Sequence, residues 1–117
     1  MPYLRISTTR SLTDAERAAL RADALAAMVA FGKPREAVMV ELHDGVDLHR
    51  GTQENACAFC EARVLGGYTR TAADELAMRL SEAVARIART DPMCVYFALS
   101  SMDACYTDGK TPPGVRP

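Results

Sequence analysis

Two helical stripes with the same internal spacing recur in this chain, and they constrain its fold more than any single motif does. Leu20, Ala24, Ala27 and Phe31 fall on one face of a helix, and Leu76, Leu80, Ala83 and Ile87 repeat that spacing 56 residues later. Each stripe lies between two strand-like runs. The first half alternates over Pro2 to Thr8, with Leu4 and Ile6 on one face and Tyr3 and Arg5 on the other. A helix across SLTDAERAALRADALAAMVAFGKP follows, then the apolar run AVMVEL at 37 to 42. The second half gives ACAFCEARVL at 56 to 65, a helix over 71 to 89, and CVYFAL at 94 to 99. The punctuation agrees with these segments. Thr13 and Glu16 have the spacing of a capping box, Gly32 and Pro34 stop the first helix, and Gly66 and Gly67 break the strand before the second. Thr71, with Asp74 three places on, is the expected start of the second helix, and Asp91 and Pro92 are its stop.

The order predicts two β-α-β halves in an α/β two-layer fold. A crossover through a helix makes the strands of each half parallel, and two such units side by side give a four-stranded mixed sheet with both helices on one face. At 117 residues the chain has room for one core, so residues 1–117 are expected to form a single domain. Its approximate repeats are 2–43 and 57–100, with a tail at 104–117. AVMVEL and CVYFAL are apolar on both of their faces, which leaves one side of the sheet to be covered by further copies of the chain. The Pro- and Gly-rich TDGKTPPGVRP reads as a loop or an arm reaching a neighbour.

Charge and hydropathy narrow the function. A formal net charge of -1, with Lys and Arg scattered among Asp and Glu, offers no basic field for nucleic acid. No apolar run approaches the roughly 20 residues that span a bilayer, so no membrane partner is expected. The N-terminus lacks the basic and apolar regions of a signal peptide, which makes the cytoplasm the expected location. The cysteines at 57, 60, 94 and 105 are accordingly read as thiols.

Four features coincide in order and spacing: Pro2 at the head of a strand, GKP at 32 to 34, CAFC at 57 to 60 followed by LGG at 65 to 67, and DPMCVYF at 91 to 97. From Pro2 to about Met102 the chain resembles the macrophage migration inhibitory factor family of the tautomerase superfamily. The resemblance implies a homotrimer, with catalysis by an N-terminal proline exposed when methionine is removed, at a pocket between adjacent subunits. It makes Pro2 the catalytic base, Lys33 the anchor of a substrate carboxylate, Leu65 the apolar residue beside the glycines, and Tyr96 the pocket tyrosine supplied by a neighbouring chain. Leaderless secretion is compatible with the same resemblance.

The chemistry follows from the residues. Proline alone has a secondary amine at a free N-terminus, and a base for keto-enol work must be unprotonated near neutral pH. An apolar pocket and a nearby cation such as Lys33 both disfavour the ammonium form. Pro2 would take a proton from the carbon beside a substrate carbonyl while Lys33 orients that carbon, with no metal or organic cofactor. The expected activity is a keto-enol tautomerase, an isomerase acting on a small 2-oxo acid such as a phenylpyruvate-like compound. Two alternatives accompany it: decarboxylation or dehalogenation of a small unsaturated acid, and a cytokine-like signalling or binding trimer with vestigial activity. Ala98 stands where the family often has asparagine, Leu99 replaces an aromatic, and Thr107, Asp108 and Gly109 occupy a tail region that usually carries aromatic residues. These departures weigh against aromatic substrates.

Each residue also has an ordinary structural reading. Pro2 fits a strand start that needs no ladder donor, Lys33 a helix C-terminus, and Tyr96 a strand core. CAFC lies on a predicted strand, where residues three apart face opposite sides, so Cys57 and Cys60 are read as buried structural thiols rather than a redox pair or zinc site. His43 and His49 fall in LHDGVDLHRG, read as a solvated loop.

Overall fold

Four strands and two helices alternate along the chain as the repeat requires. In a computed structural model, which describes residues 2–110, β1 spans Tyr3–Thr8, α1 Asp14–Ala30, β2 Met39–His43, β3 Ala58–Leu65, α2 Arg70–Ile87 and β4 Val95–Met102. Short 3-10 turns at Arg35–Ala37 and Pro92–Cys94 precede β2 and β4. The sheet order is β2-β1-β3-β4. β1 runs parallel to β2, β3 parallel to β4, and the two halves join through the antiparallel β1 and β3 pair. The predicted mixed sheet of two β-α-β units is therefore the observed one.

The strand register sorts the side chains into two faces. Across the sheet, Val40, Leu4, Ala62 and Leu99 stand in one row, and Leu42, Ile6, Cys60 and Phe97 in another. These rows belong to a single core with Leu20, Ala24, Ala27 and Met28 of α1 and Leu76, Leu80, Ala83, Val84 and Ile87 of α2. Both helices thus cover the same face. Burying each large aliphatic side chain contributes about 1.5–3 kcal/mol, which makes this two-stripe layer the main stabilising feature. Met28 takes the fully buried place at the end of the first stripe, while Phe31, expected there, caps the helix and is half-buried.

The helix starts agree with the expected caps in one case and differ in the other. The Thr13 and Glu16 capping box is present in full. The second helix is capped by Thr69 instead of Thr71: the Thr69 hydroxyl accepts from the backbone N–H of Ala72, so the helix starts at Arg70. Both threonines suit an N-cap, and the chain direction set by the glycine pair selects the earlier one. β3 begins at Ala58, leaving Cys57 ahead of the strand, and His43 ends β2 and does not lie in a loop.

The open face of the sheet also differs from expectation. Its rows read Met39, Tyr3, Arg63, Ser100; then Glu41, Arg5, Glu61, Ala98; then His43, Ser7, Phe59, Tyr96. Met39, Phe59 and Tyr96 are 57%, 41% and 40% exposed, so large apolar groups do stand uncovered: Phe59 and Tyr96 are neighbours across β3 and β4, and the charged row of Glu41, Arg5 and Glu61 separates them from Met39. Of the tail, residues 107–110 form a tight turn in which Asp108 and Gly109 both have φ near +60°, and the amides of Thr107 and Lys110 donate to each other's carbonyls. The expected arm over 111–117 lies outside the described residues.

Candidate active site

Pro2, Lys33 and Leu65 come from three separate segments, and the fold delivers them to one end of the sheet. Pro2 is buried just before β1, and its carbonyl accepts the Met39 amide at 3.0 Å, which fixes it at the start of β2. The antiparallel pairing of Tyr3 with Arg63 continues toward the end of β3, where Leu65 sits. Lys33 arrives through the reversal that ends α1. Gly32 N–H donates to Val29 O at 3.0 Å and Lys33 N–H to Met28 O at 3.1 Å, the paired bonds of a Schellman motif. That motif needs a left-handed residue, and Gly32 supplies it at φ +108°. Lys33 Nζ then donates to the Leu65 carbonyl at 3.3 Å and lies 5.7 Å from the Phe31 ring centroid.

Tyr68 is a further side chain at this end that the spacing does not place there. The Phe31 ring packs against Tyr68 with centroids 6.0 Å apart, and the Tyr68 hydroxyl donates to Leu99 O at 3.4 Å. Phe31 is thus held between Tyr68 and the lysine amine. The signal was present as an aromatic residue directly after the glycine pair, but nothing in the spacing shows that it meets Phe31. A polar network also runs along the open face from Tyr3, next to Pro2, toward the far end of β2: Tyr3 Oη donates to a Glu41 carboxylate oxygen, and the other oxygen lies 2.6 Å from His43 Nε2. The Tyr3 hydroxyl bond holds Glu41 below the usual carboxylate range, and the same bond pushes the Tyr3 hydroxyl up.

Tyr96 is not at this end. Its row partners are Phe59 and Ser7, and Ser7 lies five residues along β1 from Pro2, about 17 Å at strand rise. Within one chain Tyr96 therefore cannot line a pocket with Pro2. It instead borders a cavity of about 220 Å³ with Leu48, Arg50, Cys57 and Phe59. Ala98 is exposed on the same open face, opposite Glu61, while Leu99 packs toward the core.

The thiols have structural surroundings. Cys57, Cys60 and Cys94 are buried and Cys105 half-buried, all as free thiols. Burial pushes the Cys60 thiol up to about 12, far from the range of a reactive thiolate. Among the described residues no three His, Cys, Asp or Glu side chains gather as metal ligands. His43 and His49 each bond a carboxylate two residues away, Glu41 and Asp47 respectively. No helix among the described residues is long and apolar enough to cross a membrane.

Two β-α-β units joined in one four-stranded sheet, with both helices on one face, are the fold of macrophage migration inhibitory factor and its relatives in the tautomerase superfamily, and this chain has that fold. Solved structures show the likeness over nearly the whole chain. Macrophage migration inhibitory factor from Toxoplasma gondii superimposes with a TM-score of 0.81 at 27% identity, covering 93% of this chain and 98% of that one. Pt0534, solved after inactivation by 2-oxo-3-pentynoate, gives 0.82 at 22% identity over 93% and 95%. A fused 4-OT, solved as an asymmetric trimer, gives 0.82 at 19% over 93% and 94%. No family model matches the sequence, and no curated protein does.

Proposed function

We propose that the protein is a keto-enol tautomerase of small 2-oxo acids, with Pro2 as general base once Met1 has been removed. The observation that carries this reading is the buried Pro2 at the same sheet end as the Lys33–Leu65 pair. A secondary amine in an apolar setting is favoured in its neutral form, which is what a base needs. Lys33 supplies a cation with three N–H donors, of which the Leu65 carbonyl takes one, leaving donors for a carboxylate. Pro2 removes a proton from the carbon beside the carbonyl, and the enol takes a proton on oxygen; the reverse sequence regenerates the ketone.

Tyr96 joins this site from a neighbouring chain. The roughly 17 Å between its row and Pro2 excludes the same chain, and the exposed Met39, Phe59 and Tyr96 on the open face give copies of the chain a surface to bury. We take the assembly to be a homotrimer of single 1–117 domains, as in the 4-OT trimer that shares the fold. Inactivation of Pt0534 by a 2-oxo acid supports the substrate class. Ala98 favours one second reading, a binding trimer in which the pocket is vestigial.

The test compares wild type with Pro2→Gly in an ultraviolet assay of enol-to-ketone conversion across a panel of 2-oxo acids, after mass spectrometry has established loss of Met1. Wild type should be faster by about 100-fold or more, the usual contribution of a positioned base. Equal rates in the two proteins reject Pro2 as the base, and an inactive wild type that is still a trimer favours the binding reading.

A further inference from the structure

Conversion of a ketone into its enol moves two protons, one off the carbon beside the carbonyl and one onto the oxygen, and Pro2 accounts only for the first. A group suited to the second lies beside Tyr96. His49 lines the same cavity of about 220 Å³, whose walls are otherwise largely apolar, with Leu48, Cys57 and Phe59. Phenols, guanidinium groups and ammonium groups ordinarily release protons only at about pH 10 or above, whereas an imidazole both gives and takes them near neutral pH. The other histidine is far from this cavity. His43 shares a row with Tyr96, but three strands away, roughly 14 Å at the usual strand spacing.

The chain is held on both sides of His49. Before it, Leu48 O accepts from the Thr9 hydroxyl at 2.9 Å and lies 3.2 Å from Cys57 Sγ, while the Cys57 amide donates back to Thr9 Oγ1 at 3.1 Å. After it, the Arg50 guanidinium carbon lies 5.5 Å from the Tyr96 ring centroid, and Arg50 O accepts the Gln53 amide at 3.1 Å in a turn through Gly51. The ring itself is oriented by Asp47, whose Oδ1 lies 2.7 Å from His49 Nε2. A carboxylate accepts hydrogen bonds, so Nε2 carries the hydrogen and Nδ1 is the nitrogen left to give or take a proton. A proton-transfer group oriented by a third side chain is a recurring catalytic arrangement.

We propose that His49 is the second proton-transfer residue of the site, carried with Tyr96 to the Pro2 and Lys33 of a neighbouring chain, where it serves the carbonyl oxygen. The assignment rests on the function and the shared pocket proposed above. From ketone to enol, neutral Pro2 removes a proton from carbon and the C–H pair becomes the carbon–carbon double bond. The carbonyl π pair takes a proton from Nδ1 of the imidazolium. From enol to ketone, the Pro2 ammonium returns a proton to carbon as neutral Nδ1 accepts the hydroxyl proton. Exchange with water resets the two groups after each turnover, and the substrate neither gains nor loses an atom.

The test follows enol-to-ketone conversion of phenylpyruvate and of 2-oxobutanedioate by wild type, His49→Ala, His49→Gln and Pro2→Gly, with and without added imidazole. Both His49 variants should lose about 100-fold in kcat, the lower end for a positioned acid or base, with KM within about threefold of wild type. Imidazole should restore a rate to His49→Ala that rises with its concentration, and should leave Pro2→Gly unstimulated. The His49 side chain is 55% exposed, so its replacement leaves the core intact, and sedimentation checks that the assembly persists. An unchanged kcat, a loss confined to KM, or a loss that imidazole does not repair overturns the assignment. The two claims fail separately. Pro2→Gly as active as wild type, beside an imidazole-rescued His49→Ala, rejects the base and keeps His49; an inactive Pro2→Gly beside a fully active His49→Ala rejects His49 alone. A wild type inactive on both enols overturns the assignment together with the function beneath it.

Discussion

Lys33 Nζ donates to the carbonyl of Leu65 at 3.3 Å, which ties the end of helix α1 to the end of strand β3 at the end of the sheet where Pro2 is buried. The bond fixes the cation without neutralising it, since a carbonyl carries no net charge. Lys33→Ala should therefore raise KM for 2-oxo acids by about tenfold or more, with a smaller change in kcat, as loss of a charge-assisted contact to the substrate implies. Stability should fall by less than about 1 kcal/mol because the lysine is only half-buried. Steady-state kinetics and a urea melt check both; an unchanged KM removes Lys33 from the site.

The separation of Tyr96 from Pro2 predicts complementation between two defective chains. If one chain supplies Pro2 and its neighbour supplies Tyr96, refolding Pro2→Gly together with Tyr96→Ala creates some sites with both residues intact. Activity of the co-refolded mixture should exceed the sum of the two proteins refolded separately. A site built within one chain would carry a defect in every copy and give no recovery.

Thiol reactivity should follow burial. With its thiol pushed up to about 12, Cys60 has almost no thiolate at neutral pH, and Cys57 and Cys94 are buried with it. Titration of the folded protein with an aromatic disulfide should release one equivalent rapidly, from the half-buried Cys105, and the remaining three only in denaturant. Rapid loss of Cys57 and Cys60 together would revive a redox reading of CAFC.

Asp44 links stability to acid pH. The Leu12 amide donates to it at 2.7 Å and the Arg17 guanidinium pairs with its other oxygen, and these contacts hold its carboxyl below the ordinary value, the amide bond foremost. A depressed pKa in the folded state means that the unfolded chain binds the proton first, so the contribution is complete above the ordinary range and is lost as pH falls below about 4. Asp44→Asn should lower the urea midpoint at pH 7, and the gap to wild type should narrow at pH 3. A gap that stays constant between the two pH values rejects the linkage.

Elements whose signal is local were legible in the chain. The repeated stripe located both helices because side chains three and four apart share a face whatever surrounds them, and Gly32 marked the end of α1 because only a residue without Cβ takes φ +108° freely. Strand alternation at Leu4 and Ile6 likewise named the core face of β1. The choice of Thr69 over Thr71 was not legible, since either hydroxyl can cap and the direction of the preceding chain decides between them.

What the sequence by itself determined is the order of elements, the two-layer fold and the presence of Pro2, Lys33, Leu65 and Tyr96 on predicted element ends and strands. Only the tertiary structure decided which of them meet. Register placed Pro2, Lys33 and Leu65 at one end of the sheet and Tyr96 with Arg50 at the other, and it showed the open face to be a mosaic of apolar and charged rows. The reason is physical: periodicity along a chain specifies which way a side chain faces, whereas its neighbours across a sheet depend on strand pairing between segments tens of residues apart.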